Sequence, residues 1–341
     1  MIADLEDVLS SRPRRLTILK DELAELVDRH GDERRSFIDP MPLSMDREDL
    51  IEERAIVITL SEDNYIRHTP VETFRTQNRG GRGLKGVTTK TEDTPQLITA
   101  CFSKDRLLIF TDQGRVYGMK AWETPLGSRQ SRGSHIRNLL ESLREDENIV
   151  SILPVSRELL EEPDDHYLLF ATRLGLIKKT ALSEYVRINR NGKFAIRFKL
   201  DDDALVAVRA ATDDDQIVMI TSTGFACRFP CGKVRSTKRN TSGVWGIFTG
   251  NRETSNRVAD GGHVAGMVAV SDPKSQILTI SKFGMAKRSK LGTGEQILDI
   301  DSDGNVKLDD NGNEKQTRDG YRTTKPDAKG VRTMRLDEQH K

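Results

Sequence analysis

The sequence predicts an all-β, propeller-like fold that follows a short α-helical segment. A strand–turn–strand pattern recurs five times between residues 56 and 288, and successive turn residues are 50, 61, 49 and 60 positions apart. Periods of this size are typical of propeller blades with about four strands each. A loop that combines basic residues with a glycine follows every one of the five patterns, which strengthens the repeat.

The five repeated patterns are predicted to be β-hairpins. Each has an apolar run, a turn, and a second run that ends in a basic residue: IVITLSEDNYIRH (56–68), LLIFTDQGRVYGMK (107–120), LLFATRLGLIKK (168–179), IVMITSTGFACR (217–228) and ILTISKFGMAKR (277–288). The turn residues are Asn64, Gly114, Gly175, Gly224 and Gly284. Asn and Gly tolerate the positive φ of tight hairpins, and runs rich in Ile, Leu, Val, Phe and Thr are typical of buried strands.

The first residues follow a different pattern. Leu16, Leu19 and Leu23 recur at helical spacing, and Pro13 follows serines that can cap a helix. The Asp-Pro-Met-Pro stretch that starts at Asp39 should end the helix. We therefore predict a helical segment over 1–38, a linker over 39–52 and the propeller-like domain over 53–341. Residues 292–319 carry eight acidic and three basic residues and are interpreted as an insertion.

The basic loops are RGGRG (79–83), RQSRG (129–133), RINRNG (187–192), KRNTSG (238–243) and KPDAKG (325–330). A single loop of this kind is more often a solvated turn than a binding site. Five of them in register with a blade repeat favour a common role instead. We expect them at corresponding places on successive blades, where they would form an interrupted positive rim.

The stretch QNRGGRG (77–83) is the most informative of the chain. Between Arg67 and Lys90 there are six basic residues and one acidic residue, whereas the whole chain has a formal charge of only +1. Arginine forks can contact phosphate oxygens, and glycine lets the backbone approach closely and donate its N–H groups. This composition favours contact with a phosphate backbone.

This heptad resembles the signature box of the C-terminal domain of DNA gyrase A subunits, whose pattern is Gln-Arg-Arg-Gly-Gly-Lys-Gly. The positions that match are Gln77, Arg79, Gly80, Gly81 and Gly83. Arg82 replaces a lysine and keeps its charge, whereas Asn78 replaces an arginine and removes one. The helical segment likewise resembles the end of the long helical region that precedes this domain in the family.

The resemblance implies a β-pinwheel, a propeller-like arrangement of five to six blades whose strands cross between neighbours. It implies sequence-tolerant binding of double-stranded DNA, wrapped with positive handedness by a non-catalytic tail that supports ATP-dependent negative supercoiling. The implied partners are the gyrase A N-terminal region and the gyrase B subunit in an A2B2 holoenzyme. ATP and Mg²⁺ would act elsewhere in that enzyme, so no cofactor is expected for this chain, and the isolated domain is expected to be a monomer.

The predicted DNA-binding residues lie in or next to the basic loops. They are Gln77, Asn78, Arg79, Gly80, Gly81, Arg82, Gly83, Lys85, Arg129, Arg132, Arg187, Arg190, Lys193, Lys238, Arg239, Lys325 and Lys329.

Two alternatives compete with this interpretation. The tail of the topoisomerase IV A subunit shares the architecture but carries a degenerate box and wraps DNA poorly. A propeller that serves as a protein-interaction platform is the rival from another class. The salt dependence of DNA binding distinguishes the second alternative, because phosphate contacts weaken steeply as salt rises.

Other chemistry finds little support in the sequence. No GxxxxGK[ST] loop is present, and none of the five tyrosines follows an arginine as the nucleophile of type IIA topoisomerases does, so no catalytic residue is predicted. A calcium loop at Asp299, Asp301, Asp303 and Asp310 lacks the closing glutamate, and two hairpin turns explain that stretch better. The sequence has no secretory signal and no apolar run of membrane-spanning length, and the three cysteines suit a reducing compartment. A cytoplasmic, nucleoid-associated location is therefore expected.

Overall fold

The computed structural model describes residues 2–32, 36, 48, 50–74, 93–128, 131–140, 142–250, 262–300, 305–309 and 312–336. These residues form two bodies, which divide between Leu50 and Ile51.

The first body contains two helices, α1 (Ile2–Ser10) and α2 (Arg12–His30). Pro13 lies in the first turn of α2, where its missing N–H costs nothing. Neither helix buries a residue, and the predicted apolar stripe, including Leu19 and Leu23, is exposed. Helical spacing therefore predicts the local structure correctly.

The second body is built almost entirely from strands. In chain order they are β1 (Ala55–Ser61), β2 (Tyr65–Pro70), β3 (Pro95–Phe102), β4 (Arg106–Thr111), β5 (Arg115–Lys120), β6 (Ser134–His135), β7 (Ile149–Val155), β8 (Tyr167–Thr172), β9 (Leu176–Ala181), β10 (Lys193–Phe194), β11 (Leu205–Ala211), β12 (Gln216–Thr221), β13 (Phe225–Pro230), β14 (Val244–Trp245), β15 (Val264–Val270), β16 (Gln276–Ile280), β17 (Ala286–Lys290), β18 (Gln296–Leu298), β19 (Gln316–Arg318) and β20 (Val331–Arg332). One short helix, α3 (Arg157–Glu161), interrupts them. The 3-10 helices are Val71–Thr73, Ala121–Glu123, Ile136–Asn138, Leu182–Tyr185 and Cys231–Lys233.

Four sheets of four antiparallel strands form the blades, and each blade borrows one strand from further along the chain. The strand orders are β3-β1-β2-β6, β7-β4-β5-β10, β11-β8-β9-β14 and β15-β12-β13-β20. In each blade the two central strands are a hairpin. The third strand follows the hairpin directly in the first blade, whereas in the other three the short fourth strand of the preceding blade comes between them. The short fourth strand comes from beyond the next hairpin, so neighbouring blades are tied together by the chain itself.

The hairpin turns adopt the backbone conformation that the sequence predicts. Asn64 has φ 62°, and the four turn glycines Gly114, Gly175, Gly224 and Gly284 have φ between 75° and 102°. This left-handed region is accessible to Gly and Asn at low steric cost. The five predicted hairpins are therefore all present.

The core lies between successive blades rather than at a single centre. Leu107 and Ile109 of β4 pack toward the first blade, whereas Leu108 and Phe110 of the same strand pack toward the third. A strand that is buried on both faces has a continuous apolar sequence, because neither face is exposed to solvent. The third strands β3, β7, β11 and β15 lie side by side in that order.

The fifth hairpin, β16 and β17, does not complete a blade within the described residues, where the two strands pair only with each other. Leu278 and Ile280 of β16 are 60% and 62% exposed, whereas the matching Leu108 and Phe110 of β4 are fully buried. The described residues thus form four complete blades, and the five to six that the family resemblance implies are not confirmed.

The two ends of the acidic stretch 292–319 lie close together, and we call this junction with the domain the neck. Strands β18 and β19 pair in an antiparallel manner, and two bridges, Ile300 with Val306 and Leu308 with Glu314, continue the ladder. The Leu291 carbonyl accepts a hydrogen bond from the Tyr321 N–H at 2.9 Å and closes the neck. The observed pairing is that of a hairpin.

Among the described residues, no helix is both long enough and apolar enough to cross a membrane. All three cysteines are buried and free, and burial raises the pKa of Cys231 to about 11. No cluster of three metal-binding side chains occurs in the described part of the chain. Asp299 contacts Lys307 at 3.1 Å, while Asp301, Asp303 and Asp310 lie outside the described residues.

Candidate nucleic-acid interface

Every described basic loop docks onto the preceding blade at the same register. The residue directly after each loop glycine pairs with a strand of the hairpin one blade earlier. Its partner there lies two positions after that hairpin's turn residue. The pairs are Ser134 with Ile66, Lys193 with Val116, Val244 with Ile177, and Val331 with Ala226. The four loops therefore occupy corresponding places on four successive blades.

The loop glycines are required by close backbone contact. Gly330 has φ 80°, and a Cβ atom added there would lie 2.0 Å from the Ala226 carbonyl oxygen. Gly133 has φ 84°, and its Cβ would lie 2.4 Å from the Ile66 carbonyl oxygen. No side chain fits at such distances, so the glycine in each loop marks the point where the loop meets the neighbouring blade.

Buried cations donate hydrogen bonds to main-chain carbonyls in the loops or next to them. Arg228, 5% exposed, donates from Nη1 to the carbonyls of Leu291, Gly292 and Tyr321 at 3.0, 2.8 and 3.1 Å. Arg67 donates in the same way to the Ser131 carbonyl. Hydrogen bonds from a charged donor are stronger than neutral ones, and they satisfy loop carbonyls that water does not reach.

The other two blades use variations of the same contact. Arg106, on the first strand of its hairpin, donates to the carbonyls of Val186, at 2.9 Å, and Ile188. The Lys178 ammonium, 1% exposed, donates to the carbonyls of Ala195, at 2.7 Å, and Arg239. Burial, reinforced by the nearby Arg239 charge, lowers the pKa of Lys178 to about 7.

These buried cations anchor the loops, and the sequence analysis does not identify them. The available signal was a basic residue inside an otherwise apolar strand, as at Arg67, Lys178 and Arg228. An isolated charge is expensive to bury, so such a residue indicates a specific partner. Here the partners are main-chain carbonyls, which the sequence does not reveal.

Most of the predicted cations in the described loops are exposed. Arg132, Arg187, Arg190, Lys193, Lys238, Lys325 and Lys329 are exposed, whereas Arg239 is only partly so. The Arg132 guanidinium lies 3.8 Å from the centre of the Tyr65 ring and contacts Asp63 at 3.1 Å. The Lys329 ammonium lies 4.9 Å from the centre of the Phe225 ring. Because Tyr65 and Phe225 both directly follow their hairpin turns, the two cations sit on equivalent aromatic platforms.

Some of these cations have protein partners. Arg190 contacts the Glu123 carboxylate at 2.5 Å, and the Lys193 ammonium donates to the Arg187 carbonyl at 3.0 Å. Arg239 donates to the Glu184 carbonyl at 3.2 Å. Exposed ion pairs contribute little to stability. These side chains can therefore exchange their protein partners for a ligand at little cost to the fold.

The predicted box lies outside the described residues, as does Arg129. The box residues concerned are Gln77, Asn78, Arg79, Gly80, Gly81, Arg82, Gly83 and Lys85. Its sequence nevertheless aligns without gaps with two described loops: FRTQNRGGRG (74–83), VRSTKRNTSG (234–243) and YRTTKPDAKG (321–330). The box is therefore one member of the loop repeat.

The fold and its loops define a propeller-like domain in which neighbouring blades exchange their fourth strands. The family model described as "DNA gyrase C-terminal domain, beta-propeller" matches residues 55–94, 105–156, 166–212, 215–271, 275–293 and 318–341. The DNA gyrase A subunit of Staphylococcus epidermidis is 41% identical over 290 residues, which cover 84% of this chain and 31% of that protein. The gyrase A subunit of a Staphylococcus aureus strain is 40% identical over the same coverage.

Two solved structures share the fold. The C-terminal domain of DNA topoisomerase IV has a TM-score of 0.58 at 21% identity, covering 84% of this chain and 75% of that one. The DNA gyrase A C-terminal domain has a TM-score of 0.53 at 20% identity, covering 83% and 96%. The chain belongs to the DNA gyrase A C-terminal domain family. It spans 31% of the length of the two gyrase A subunits named above.

Proposed function

We propose that this domain binds double-stranded DNA through its basic loops, independently of base sequence, and wraps the duplex around its blades with positive handedness. The observation that carries the proposal is the common docking register of the four described loops. A charge that recurs once per blade matches a ligand that is itself a periodic line of charge. Duplex DNA carries about one negative charge per 1.7 Å of its axis.

The energetics of bending are compatible with this role. Bending 20–30 base pairs by 40–90° costs on the order of 1–6 kcal/mol. Each phosphate contact releases counterions and contributes a slope of about −0.9 to the plot of log K against log salt. A handful of contacts distributed over several blades therefore offsets the bending cost at low salt.

Within a holoenzyme the domain would act as the non-catalytic tail of a gyrase A subunit. We propose that it presents wrapped DNA to the gyrase A N-terminal region and the gyrase B subunit of an A2B2 assembly, where ATP and Mg²⁺ drive negative supercoiling. This role places the chain in the cytoplasm, on the nucleoid, with the isolated domain as a monomer. It supplies no catalytic residue and binds no cofactor of its own.

We further propose that the fifth hairpin belongs to a fifth blade of a five- to six-bladed β-pinwheel. Leu278 and Ile280 are exposed at positions that are buried in the first three blades. Apolar side chains at core positions favour a further packing partner, which a neighbouring blade would provide.

Charge-neutralising variants test the DNA contact. The rim variant, Arg132→Gln with Lys238→Gln and Lys325→Gln, should weaken duplex binding and reduce the salt slope by up to about 2.7, at 0.9 per lost phosphate contact. The matched control removes three exposed charges from the helical body: Arg12→Gln, Arg15→Gln and Lys20→Gln. Equal weakening in both variants would contradict the loop assignment. Duplex binding that does not respond to salt would favour the protein-interaction platform.

A further inference from the structure

A cleft of about 330 Å³ lies beside the fifth hairpin, at the base of the acidic insertion. Its walls are β17, residues 318–322 and residues 331–333. Five of its ten lining residues are cations and none is a carboxylate: Lys287, Lys290, Arg318, Arg322 and Arg332. None of the five is among the residues predicted from the sequence to bind DNA.

The five cations are exposed, and their described contacts are with neutral groups. Lys287 donates to the Thr333 carbonyl at 3.2 Å, and Arg318 donates to the Gly294 carbonyl at 3.3 Å. Among the described residues none of the five forms an ion pair. A cluster of like charges raises the local potential, which an anion would relieve.

The floor of the cleft is ordered by packing. Tyr321 and Thr333 are 5% and 3% exposed, and their hydroxyls are hydrogen-bonded to each other. The Asp319 carboxylate, at the neck of the insertion, accepts a hydrogen bond from the Thr293 N–H at 2.9 Å and interacts with the buried Arg228. This acid therefore already has partners within the domain, and it is not among the residues that line the cleft.

The charge after the second strand of the fifth hairpin differs from that of the first three hairpins but not from that of the fourth, whose 3-10 helix carries Lys233 and no acid. In the first three hairpins a short 3-10 helix follows the second strand and carries Glu72, Glu123 or Glu184. A cavity of about 420 Å³ beside the second strand of the second hairpin contains Arg106, Lys120 and Arg190, but Glu123 neutralises part of this charge. At the fifth hairpin the insertion begins directly after Leu291, where that helix would start, and Arg318 and Arg322 at its far end line the cleft.

The cleft is continuous with the basic loop 325–330. Arg332 lies two residues beyond Gly330, and its guanidinium is 5.4 Å from the centre of the Phe225 ring. Lys329 of the loop approaches the same ring at 4.9 Å. A phosphate backbone that follows the basic loops would therefore reach the cleft next.

We propose that this cleft is a phosphate-binding site and that its ligand is the backbone of duplex DNA. The inference rests on the proposed function, which it extends to a region built by the insertion. The guanidinium groups of the three arginines can form bidentate hydrogen bonds with phosphate oxygens, and the two lysine ammonium groups add positive charge.

Lysine acetylation footprinting tests the site on the full chain. Duplex DNA of random sequence should protect Lys287 and Lys290 together with Lys238 and Lys325 of the basic loops. Protection of Lys238 and Lys325 alone would overturn the cleft but leave the proposed function standing, whereas no protection anywhere would overturn both. Pyrophosphate serves as the probe for a free polyphosphate. If it protects Lys287 and Lys290 while DNA does not, DNA is the wrong ligand.

A pair of variants supplies an independent measurement. Arg318→Gln with Arg322→Gln should reduce the salt slope of duplex binding by about 1.8, at 0.9 per phosphate contact. Lys274→Gln with Lys315→Gln removes the same charge from exposed positions outside the cleft and should leave the slope unchanged. Thermal unfolding of all variants checks that the fold survives. Equal slopes for the two variants would contradict the site.

Discussion

The domain uses two sets of cations for opposite purposes. Arg67, Lys178 and Arg228 lie inside the blades and direct their charge at main-chain carbonyls, whereas Lys238 and Lys325 are exposed in the loops that those carbonyls belong to or adjoin. The chain is nearly neutral, with 54 basic and 53 acidic residues, so its net charge does not indicate either set. What distinguishes them is the partner that each cation meets.

This difference means that the number of basic residues overstates the DNA-binding surface. A substitution in the buried set should damage the fold and affect DNA binding only through it. A substitution in the exposed set should affect DNA binding and leave the fold intact. Substitutions at the buried cations and at the loop glycines separate the two sets, and the largest effect on stability is expected at Arg228.

Arg228→Met should destabilise the domain most. Its guanidinium donates to the carbonyls of Leu291, Gly292 and Tyr321. The Leu291 carbonyl keeps the Tyr321 N–H, so two buried acceptors lose their partner, at about 1–3 kcal/mol each. We expect the free energy of unfolding, measured with urea, to fall by about 4 kcal/mol. Arg332→Met, an exposed arginine nearby, should change it by less than about 0.5 kcal/mol. Similar losses in both variants would refute the anchoring role.

Gly330→Ala should have the next largest effect. The added Cβ combines left-handed strain, roughly 1–2 kcal/mol, with a clash against the Ala226 carbonyl that costs about 1–3 kcal/mol. Gly284→Ala is the matched control, because its φ is 83° but the space around its Cβ is open within 4 Å. The control should show the strain alone. If calorimetry gives the two variants the same midpoint, the loop does not dock as described.

Lys178 should make stability depend on pH. Burial lowers its pKa to about 7 from the ordinary value of 10.5, so above pH 7 the unfolded chain binds more protons at this site than the folded one. Stability from this group therefore rises with pH, by at most about 1.4 kcal/mol per unit, and is lowest below pH 7. The difference in unfolding free energy between the wild type and Lys178→Met should change in this direction between about pH 7 and pH 8.5. A constant difference would mean that Lys178 titrates normally.

The sequence predicts the local structure of this domain better than its assembly. Hairpin turns and apolar runs are local signals, and all five hairpins lie where Asn64, Gly114 and their equivalents predict them. The exchange of fourth strands joins residues far apart in the chain, such as Ala226 and Val331, and nothing local marks it except the loop glycine. The cationic cleft is missed for the same reason, since Lys287, Arg318 and Arg332 meet only when the insertion folds back.

The box stays a prediction from sequence, although its loop equivalents at 238–243 and 325–330 dock in a common register. The alignment of Gly83 with Gly243 and Gly330 is visible in the sequence alone. The reason for this glycine is its close contact with the backbone of the preceding blade, and only the fold of the two described loops shows that contact.

Sealing a nicked DNA circle in the presence of the chain tests the central claim most directly. If the loops wrap DNA with positive handedness, the sealed circles should gain linking number in proportion to the protein bound. Arg79→Ala with Arg82→Ala should abolish the gain while keeping the unfolding midpoint. A linking number that stays constant while the wild-type chain saturates the DNA would contradict the account. An undiminished gain with the double variant would show that the box has been assigned wrongly.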